Sequence, residues 1–346
     1  MPLPVSTSAH SPGSGRRSAV RPPVLAALMC VAATMACTAA GSEQVPAPPR
    51  YLGQMPPGTT PVLFAPGIVS TDAVELNSVF APDGREFFFS RLVQGEDTLQ
   101  YPERTRPVMH HMRIEGGTWS APRPLLLFPD RSKAVAVDMS ISPDGERLYF
   151  MGQHPQGHAQ ETPNPDIWVS RRVNGAWAPA QVLPPPINTA ASEVYSAVVA
   201  DGSLYFTSNR GDGAAPRRSR LYRAQRRQDG SFADPVEVGP PINGEFGVGD
   251  TFVAPDESYL ILSSGNRPGG FGQGDLWVSF RGSERRWTEP VNLGDRINTK
   301  DTEFCPMVTP DGKYLFFSRR IGPNWEQVKG GDVYWVDVKV LDALRR

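Results

Sequence analysis

Five acidic residues recur at fixed distances before the aspartate of a short turn motif. Each lies eight or six residues ahead of that aspartate, and the five are Glu75, Asp138, Glu193, Asp250 and Glu303. Because successive side chains of a strand point to opposite faces, an even spacing keeps these positions on one face. Carboxylates gathered in this way can hold a cation, receive the amine of a ligand, or work as an acid and base pair in glycoside cleavage.

Four arginines follow the same motif on its other side, namely Arg91, Arg210, Arg267 and Arg319. Unpaired buried charges are costly and like charges repel, so one interpretation pairs these arginines with the acids as staples between adjacent strands. In a second interpretation some acids stay free. Asp138, Glu193 and Glu303 are then candidates for acid–base catalysis. His154 is a further candidate, because it follows the second of these motifs.

Histidines cluster after the first two motifs. The stretch "MGQHPQGHAQETPNPD" contains His154 and His158 where other motifs have an arginine, and "VMHHMRI" contains His110 and His111. Adjacent residues of a strand point to opposite faces, so at most one of the latter pair points inward. Ordinary loop histidines are one interpretation. The other is a divalent metal site, since histidine is the commonest transition-metal ligand, with these candidates: His110, Gln153, His154 and His158.

The acids and the arginines flank the turn of a repeat of the form strand, Asp-Gly turn, strand. "FAPDGREFFFSR" and "VTPDGKYLFFSRR" are two of its five copies. Asp-Gly accepts the positive φ angles of a tight hairpin, and the flanking residues alternate apolar with polar. In the fourth copy Glu257 replaces the glycine, so we expect a wider turn there. The turn aspartates are Asp83, Asp144, Asp201, Asp256 and Asp311.

A second hairpin follows the first in each unit, with an aromatic and an aliphatic residue at constant spacing, as in Trp177 and Leu183. Four strands per repeat are typical of a propeller blade. The fifth unit lacks its outer strand, and residues 61–70 match that strand. Closing the ring in this way removes a sheet edge. The sequence therefore predicts an all-β fold, a five-bladed β-propeller of four-stranded blades over residues 61–346.

The Pro-Asp-Gly units, together with "DLWVS" after the glycine-rich "NRPGGFG", resemble the TolB-type, WD-like propeller repeats of bacterial envelope proteins. The resemblance covers about residues 61–340. It implies a propeller whose relatives include scaffold, protein-binding and occasionally enzymatic members. It does not select a chemistry, because one fold carries many functions.

In such a propeller the innermost strand of each blade starts at the top face, and the Asp-Gly turns lie at the bottom. The acidic, basic and histidine positions then share the top face. We expect a ligand-binding channel mouth there, formed by Glu75, Asp138, Glu193, Asp250, Glu303, Arg91, Arg210, Arg267 and Arg319.

Residues 1–40 have the pattern of a signal peptide, because arginines precede the apolar run Val24 to Ala36. That run is too short to span a bilayer as a helix. "TMAC" resembles a lipobox, which predicts cleavage before Cys37 and lipidation of its thiol. Cleavage before Gly41 and an uncleaved anchor are the alternatives. We expect export to the periplasm or cell surface, with lipid anchoring to the outer membrane.

Proline-rich residues 41–60 predict a semi-rigid tether between this leader and the propeller. Cys30 and Cys37 fall within the leader, so Cys305 is the remaining cysteine of the propeller. With no partner for a disulfide, we expect Cys305 to be a small buried hydrophobe.

Three functions are compatible with these features. A formal net charge of −1 excludes the strongly basic surface of a nucleic-acid-binding protein. The first function is a monomeric, non-catalytic envelope lipoprotein whose top face binds a protein, peptide or glycan. The second is a carbohydrate-active enzyme, either a glycoside hydrolase or a metal-dependent uronate lyase, that uses the channel carboxylates and the histidines of blades one and two. The third is a structural part of an envelope complex. A divalent metal at the channel mouth is the one cofactor that the sequence suggests.

Overall fold

The computed structural model describes residues 50–94, 105–128, 135–153, 164–211, 218–282, 284–324 and 327–345. Over these ranges the chain forms five small antiparallel sheets, which are the five blades of a β-propeller. The predicted all-β fold and blade number are confirmed. The leader and its Cys37, together with His154 and His158, lie outside the described residues.

Each blade runs from its innermost strand outward in sequence order. Blades one and two carry an additional two-residue strand that pairs with their third strand. The closing strand and the strands of the first two blades are β1 (Val62–Leu63), β2 (Glu75–Phe80), β3 (Glu86–Gln94), β4 (Thr105–Glu115), β5 (Thr118–Trp119), β6 (Arg123–Pro124), β7 (Val135–Ile141), β8 (Arg147–Gln153), β9 (Asp166–Val173), β10 (Ala176–Trp177) and β11 (Gln181–Val182). Those of the remaining blades are β12 (Glu193–Val198), β13 (Leu204–Ser208), β14 (Arg220–Ala224), β15 (Val236–Glu237), β16 (Thr251–Val253), β17 (Tyr259–Ser264), β18 (Asp275–Phe280), β19 (Val291–Asn292), β20 (Thr302–Val308), β21 (Tyr314–Ile321) and β22 (Gly330–Asp337).

The ring is closed by β1, which pairs antiparallel with β22 and places Val62 opposite Trp335. The first described strand therefore completes the fifth blade, as the sequence predicts. Phe64, directly after β1, is fully buried, and its ring lies 4.8 Å from that of Phe316 and 5.3 Å from that of Trp335. Burying a phenylalanine contributes roughly 1.5–3 kcal/mol, so aromatic packing reinforces the two-residue pairing.

The Asp-Gly turns have the backbone that their sequence requires, with φ of +70° at Gly312. The expected wider turn in the fourth copy is wrong. Glu257 itself adopts a φ of +56°, and its amide donates to the Ala254 carbonyl at 2.8 Å, the same distance as Gly312 to Thr309. The carboxylate of Glu257 accepts hydrogen bonds from Tyr205 and Arg223 of blade three. These bonds hold a non-glycine residue in the left-handed region.

The Ile-Asn pairs that end three of the units form a repeated side-chain clasp. The amide oxygen of Asn243 accepts from the Leu221 N–H at 2.8 Å, and its Nδ2 donates to the Leu221 carbonyl at 2.7 Å. Asn188 and Asn298 bind β9 and β18 in the same way. Each buried asparagine thus fastens the loop after an outer strand to the third strand of its own blade.

The apolar core lies between neighbouring blades rather than in one central cluster. Between blades two and three, for example, Tyr149 and Val169 pack with Leu204 and Phe206. A 3₁₀ helix over Val338–Leu344 follows the last strand and buries Leu341, and a short 3₁₀ segment covers Arg50–Gly53. Within the part of the chain described, no helix is long and apolar enough to cross a membrane.

Candidate functional site

The innermost strands of four blades are interrupted by a β-bulge, which inserts a residue and breaks the two-residue alternation. The register shifts lie between Glu75 and Ser78, Val137 and Ser140, Val194 and Ala197, and Phe304 and Met307. One residue per blade, six positions before the turn aspartate, reaches the axis at this level. We call these five the axial ring: Asn77, Asp138, Tyr195, Asp250 and Cys305. Three of them have a left-handed backbone, with φ of 58° at Asp138, 51° at Tyr195 and 49° at Cys305.

The axial ring lines a cavity of about 320 Å³. The cavity runs from the ring towards the Asp-Gly turns, because its walls are the later halves of the innermost strands and the turn prolines. Pro143, Pro255 and Pro310 at its rim are exposed, so the cavity reaches solvent at that face. Phe80 and Phe252 contribute aromatic wall. The sequence-based expectation of a mouth at the top face is therefore wrong for this cavity.

The other half of the channel contains an apolar plug. Leu76, Val137 and Phe304 come from the position just before the axial ring in three blades, and each is at most 8% exposed. Leu92 packs with them, and so does Cys305 of the ring. The plug explains why the cavity opens on the Asp-Gly side.

The polar end of the cavity is formed by two carboxylates and a thiol. The Sγ of Cys305 donates to Oδ1 of Asp250 at 3.3 Å and lies 3.6 Å from Oδ1 of Asp138. One oxygen of each aspartate and the sulfur all lie within 4.8 Å of one another. Ser263 donates to the second oxygen of Asp250 at 3.0 Å. Beside them, Asn77 exchanges two hydrogen bonds with the Met139 backbone, at 2.8 and 3.2 Å.

Burial raises the pKa of Asp138 well above its usual range, and the neighbouring charge of Asp250 raises it further. Burial also raises the pKa of Asp250, against which hydrogen bonds from Cys305 and Ser263 act. The pKa of the Cys305 thiol is raised well above its usual range by burial and by both carboxylates. Two carboxyl groups so close disfavour each other's ionisation, so the pair holds a proton to a higher pH than an isolated aspartate does.

The three predicted glutamates are not part of the axial ring. Each is fully buried and accepts a hydrogen bond or ion pair from the arginine that follows the second strand: Glu75 from Arg91 at 2.7 Å, Glu193 from Arg210 at 3.0 Å, and Glu303 from Arg319 at 2.7 Å. A threonine four residues earlier also binds each glutamate through its backbone N–H and its hydroxyl. The staple interpretation is confirmed for these three pairs, so Glu193 and Glu303 are not the free acids that the second interpretation requires.

Arg267, the fourth predicted arginine, has different partners. Its Nε donates to Ser264 Oγ at 3.0 Å and its Nη2 to the Ile242 carbonyl at 3.2 Å. Its guanidinium carbon lies 5.8 Å from the Trp277 ring. Arg267 therefore does not pair with Asp250, the acid of the same blade, as the other three arginines pair with their glutamates.

The two described histidines, His110 and His111, contact residues of the blades. His110 is 7% exposed, stacks on Phe89 at 5.2 Å, and places Nδ1 3.0 Å from the Val108 carbonyl. Burial lowers its pKa. His111 points to the opposite face and contacts Glu86. Gln153 ends β8. The metal set proposed with His154 and His158 falls partly outside the described residues.

Among the described residues, the group close enough to share one metal ion is Asp138, Asp250 and Cys305, without a histidine. Carboxylate oxygen and thiolate sulfur are both zinc ligands. A metal would require an ionised thiol, and the raised pKa of Cys305 opposes that ionisation. The donor set is therefore a weak fit for a divalent ion.

Sequence reasoning missed Asn77, Tyr195 and the polar role of Cys305. Aligning the five copies on the turn aspartate and reading the sixth position upstream finds all five ring members. Acidic residues eight positions before the turn aspartate are the arginine-paired glutamates, and residues six positions before it form the axial ring. The bulge separates these two positions. Cys305 is buried as expected, although it acts as a hydrogen-bond donor between two acids.

No family model matches the chain, and no curated protein matches it. Solved structures do resemble it. A glycoside hydrolase aligns at 11% identity over 85% of this chain and 92% of its own, with a TM-score of 0.49. An α-L-arabinofuranosidase from Lactobacillus brevis aligns at 14% identity over 78% and 91%, with a TM-score of 0.45.

A prolyl endopeptidase aligns at 18% identity with a TM-score of 0.39, over 74% of this chain. The chain spans 32% of that protein's length. These likenesses concern the propeller fold. They carry no argument about chemistry, because identity and structural similarity are both low and propellers host many activities.

Proposed function

We propose that this propeller is a binding protein that receives a cationic group of a protein or peptide partner, such as a primary amine, in its axial cavity. The observation that carries the proposal is the pair Asp138 and Asp250. Both are more than nine-tenths buried at the end of a solvent-reached cavity, and neither forms a salt bridge with a described residue. The glutamates nearby are all neutralised by arginine.

Charge favours a cation over a neutral or anionic ligand. An opposite charge within about 4–6 Å lowers the pKa of a carboxyl group by about 1–3 units. An ammonium group in the cavity therefore stabilises both ionised aspartates and displaces the proton that they retain in its absence. Binding is then expected to strengthen as the pH rises towards neutrality.

The cavity walls favour an ammonium on an aliphatic stem. Phe80, Phe252, Met139 and Met307 line the space between the rim and the carboxylates. Sites of this kind use apolar walls for affinity and a few convergent polar groups for orientation. A lysine side chain or a linear alkylamine has this division, since its methylene chain packs on apolar surface while its charge stays with the polar group.

Titration calorimetry with n-butylammonium tests the proposal, with n-butanol as the neutral analogue of the same length. We expect saturable binding of the amine at pH 7 and none of the alcohol. Asp138→Asn and Asp250→Asn should each weaken amine binding about tenfold or more. Asp72→Asn, a change at an exposed loop residue, is the matched control. Equal binding of amine and alcohol, or unchanged affinity in both aspartate variants, would reject it.

One observation favours a second function, glycoside hydrolysis. Carboxyl oxygens of Asp138 and Asp250 lie within 4.8 Å, and retaining glycosidases place their two carboxyl groups about 5–5.5 Å apart. The raised pKa of Asp138 suits a general acid. A panel of nitrophenyl glycosides tests this function. Release of nitrophenol that is abolished in both aspartate variants would favour the enzyme over the binder.

The envelope location is part of the same proposal and rests on residues 1–40 and on the likeness to TolB-type repeats. In this proposal the leader directs export and Cys37 is lipidated. Fractionation of cells that express Cys37→Ser tests it. We expect the variant in the soluble fraction and the unchanged protein in membranes, and membrane association of both would contradict lipid anchoring.

A further inference from the structure

Three grooves between blades share one construction. In each, an arginine near the end of a third strand stacks on the aromatic residue of the following turn. The guanidinium carbon lies 4.3 Å from the ring centroid for Arg172 and Trp177, 5.5 Å for Arg226 and Phe232, and 4.7 Å for Arg281 and Trp287. The equivalence of these grooves allows their charges to be compared directly.

The groove between blades one and two contains its own carboxylate. Glu86, the first residue of β3, accepts hydrogen bonds from Arg172 of blade two and contacts His111 at 3.2 Å. Its side chain is 14% exposed. Burial acts to raise the pKa of Glu86, but His111 and Arg172 lower it to about 2. The arginine of this groove is therefore neutralised within the fold.

The groove between blades three and four is neutralised in the same way. Glu257 accepts from Arg223 at 2.9 Å, lies 3.3 Å from Arg281, and accepts from the hydroxyl of Tyr205. Its side chain is 12% exposed. One buried carboxylate again lies among arginines and an aromatic hydroxyl.

The groove between blades two and three lacks such a carboxylate. Arg147 occupies the first position of β8, which corresponds to Glu86 at the start of β3, and Arg171 lies directly opposite it on β9. Like charges opposite each other on adjacent strands are destabilising. From blade three, Arg226 places Nη1 3.4 Å from the Tyr149 hydroxyl. Arg147 pairs with Asp144 at the exposed turn, but its Nε is buried without a hydrogen-bond partner among the described residues.

A cavity of about 260 Å³ lies in this groove, and its lining includes Arg171, Arg226, Arg227 and Tyr149. Arg226 is held in place by packing. A Cβ at Gly202 would lie 2.7 Å from its Cδ, and one at Gly230 would lie 3.2 Å from its Nη2. Among the described residues no carboxylate forms an ion pair with the three lining arginines, although hydrogen bonds from Ser231 and the nearby charge of Arg227 lower the pKa of Asp229.

We infer that this groove is a binding site for an oxyanion, a phosphate, sulfate or carboxylate group, which takes the place that Glu86 and Glu257 take in the other two grooves. Arginine forks suit such groups, because they donate two parallel hydrogen bonds to one anion. The carboxylates at the rim are already engaged: Asp144 binds Ser142, and Asp229 binds Ser231. The site is separate from the axial cavity and does not depend on the amine-binding proposal.

Calorimetric titration of the full chain with inorganic phosphate, sulfate and acetate, each against chloride at equal ionic strength, tests the inference. We expect saturable binding of at least one oxyanion and none of chloride. The strongest of the three identifies the ligand group. Arg226→Gln should weaken binding about tenfold or more. Arg285→Gln, an exposed arginine on the equivalent hairpin of blade four, is the matched control and should bind as the unchanged protein does.

Arg147→Glu is the most direct test, because it places at the start of β8 the carboxylate that Glu86 provides at the start of β3. We expect this variant to lose oxyanion binding and to show a melting temperature that oxyanions no longer raise. If Arg226→Gln does not fold, Arg171→Gln, at an exposed position, takes its role. Oxyanion binding that survives Arg147→Glu, or absence of saturable binding to the unchanged protein, would overturn the inference.

Discussion

The thiol of Cys305 donates to the carboxylate of Asp250 across 3.3 Å and lies 3.6 Å from that of Asp138. The three residues come from three blades and occupy the same position of the repeat. The sulfur is therefore the polar contact shared by two buried acids, and the proton equilibria of all three groups are coupled. This cluster distinguishes the axis from the arginine-neutralised glutamates around it.

Removal of the Cys305 thiol should destabilise the protein, because the thiol is the hydrogen-bond donor between the two aspartates. We expect Cys305→Ala to lower the free energy of unfolding by about 1–3 kcal/mol, because a buried carboxylate loses its donor. Cys305→Ser retains a donor at the same place and should cost less. Urea denaturation at pH 7 compares the two variants. An alanine variant as stable as the serine variant would contradict the proposed hydrogen bonds.

The pair should also make stability depend on pH. The pKa of Asp138 is raised in the folded state, so the folded protein keeps a proton that the unfolded chain releases. The contribution of Asp138 to the free energy of unfolding is complete below the ordinary pKa of an aspartate. It is lost as the pH rises through the raised pKa of the folded protein. Relative to Asp138→Asn, the unchanged protein should lose up to about 1.4 kcal/mol per pH unit within that window.

Denaturant unfolding of both proteins between pH 4 and 8 measures this difference. Comparing the two proteins cancels the contributions of acids whose pKa is lowered by folding, such as Glu86 with its pKa of about 2. A difference that does not change with pH would show that Asp138 ionises normally in the folded protein.

Removing only one partner of a buried glutamate–arginine pair should strongly lower the stability of the protein. Glu303 is fully buried, and the Arg319 side chain is 16% exposed. We expect Arg319→Met to cost about 3–5 kcal/mol, because it leaves the carboxylate of Glu303 buried without a counter-charge. Adding Glu303→Gln should recover much of that loss. A double variant no more stable than the single one would argue against an ion pair at this position.

Replacing Glu257 by glycine, the residue of the other four turns, should destabilise the protein rather than stabilise it. Four of the five turns have glycine at this position, and glycine adopts its positive φ without strain. Glu257→Gly should nevertheless destabilise the protein by about 1–2 kcal/mol, since Arg281 loses its carboxylate and Arg223 is left with the exposed Asp201. Thermal unfolding compares it with Glu257→Gln. A more stable glycine variant would mean that the interblade bonds are weak.

The sequence was sufficient to predict the blades, the closure through Val62 and Leu63, and the pairing of Glu303 with Arg319. These features are repeated, and each follows from alternation or from the cost of a buried charge. Strand pairing across the ring is also encoded locally, because the closing segment matches the outer strands of other units.

Strand alternation alone does not predict the axial site, because a bulge separates Glu303 from Cys305 within one strand. Strict alternation places both on one face, whereas the bulge turns Cys305 towards the axis. The convergence of Asp138, Asp250 and Cys305 also depends on the ring geometry, which no single repeat contains. The same holds for Glu257, whose partners Tyr205 and Arg223 belong to the preceding blade.

The count of protons released on amine binding tests the central claim most directly. Titration of n-butylammonium near pH 7, in buffers of different ionisation enthalpy, measures this count. A cation that displaces the proton shared by Asp138 and Asp250 should release about one proton per amine bound, and none in Asp138→Asn. Amine binding without proton release, or release that persists in Asp138→Asn, would contradict the account.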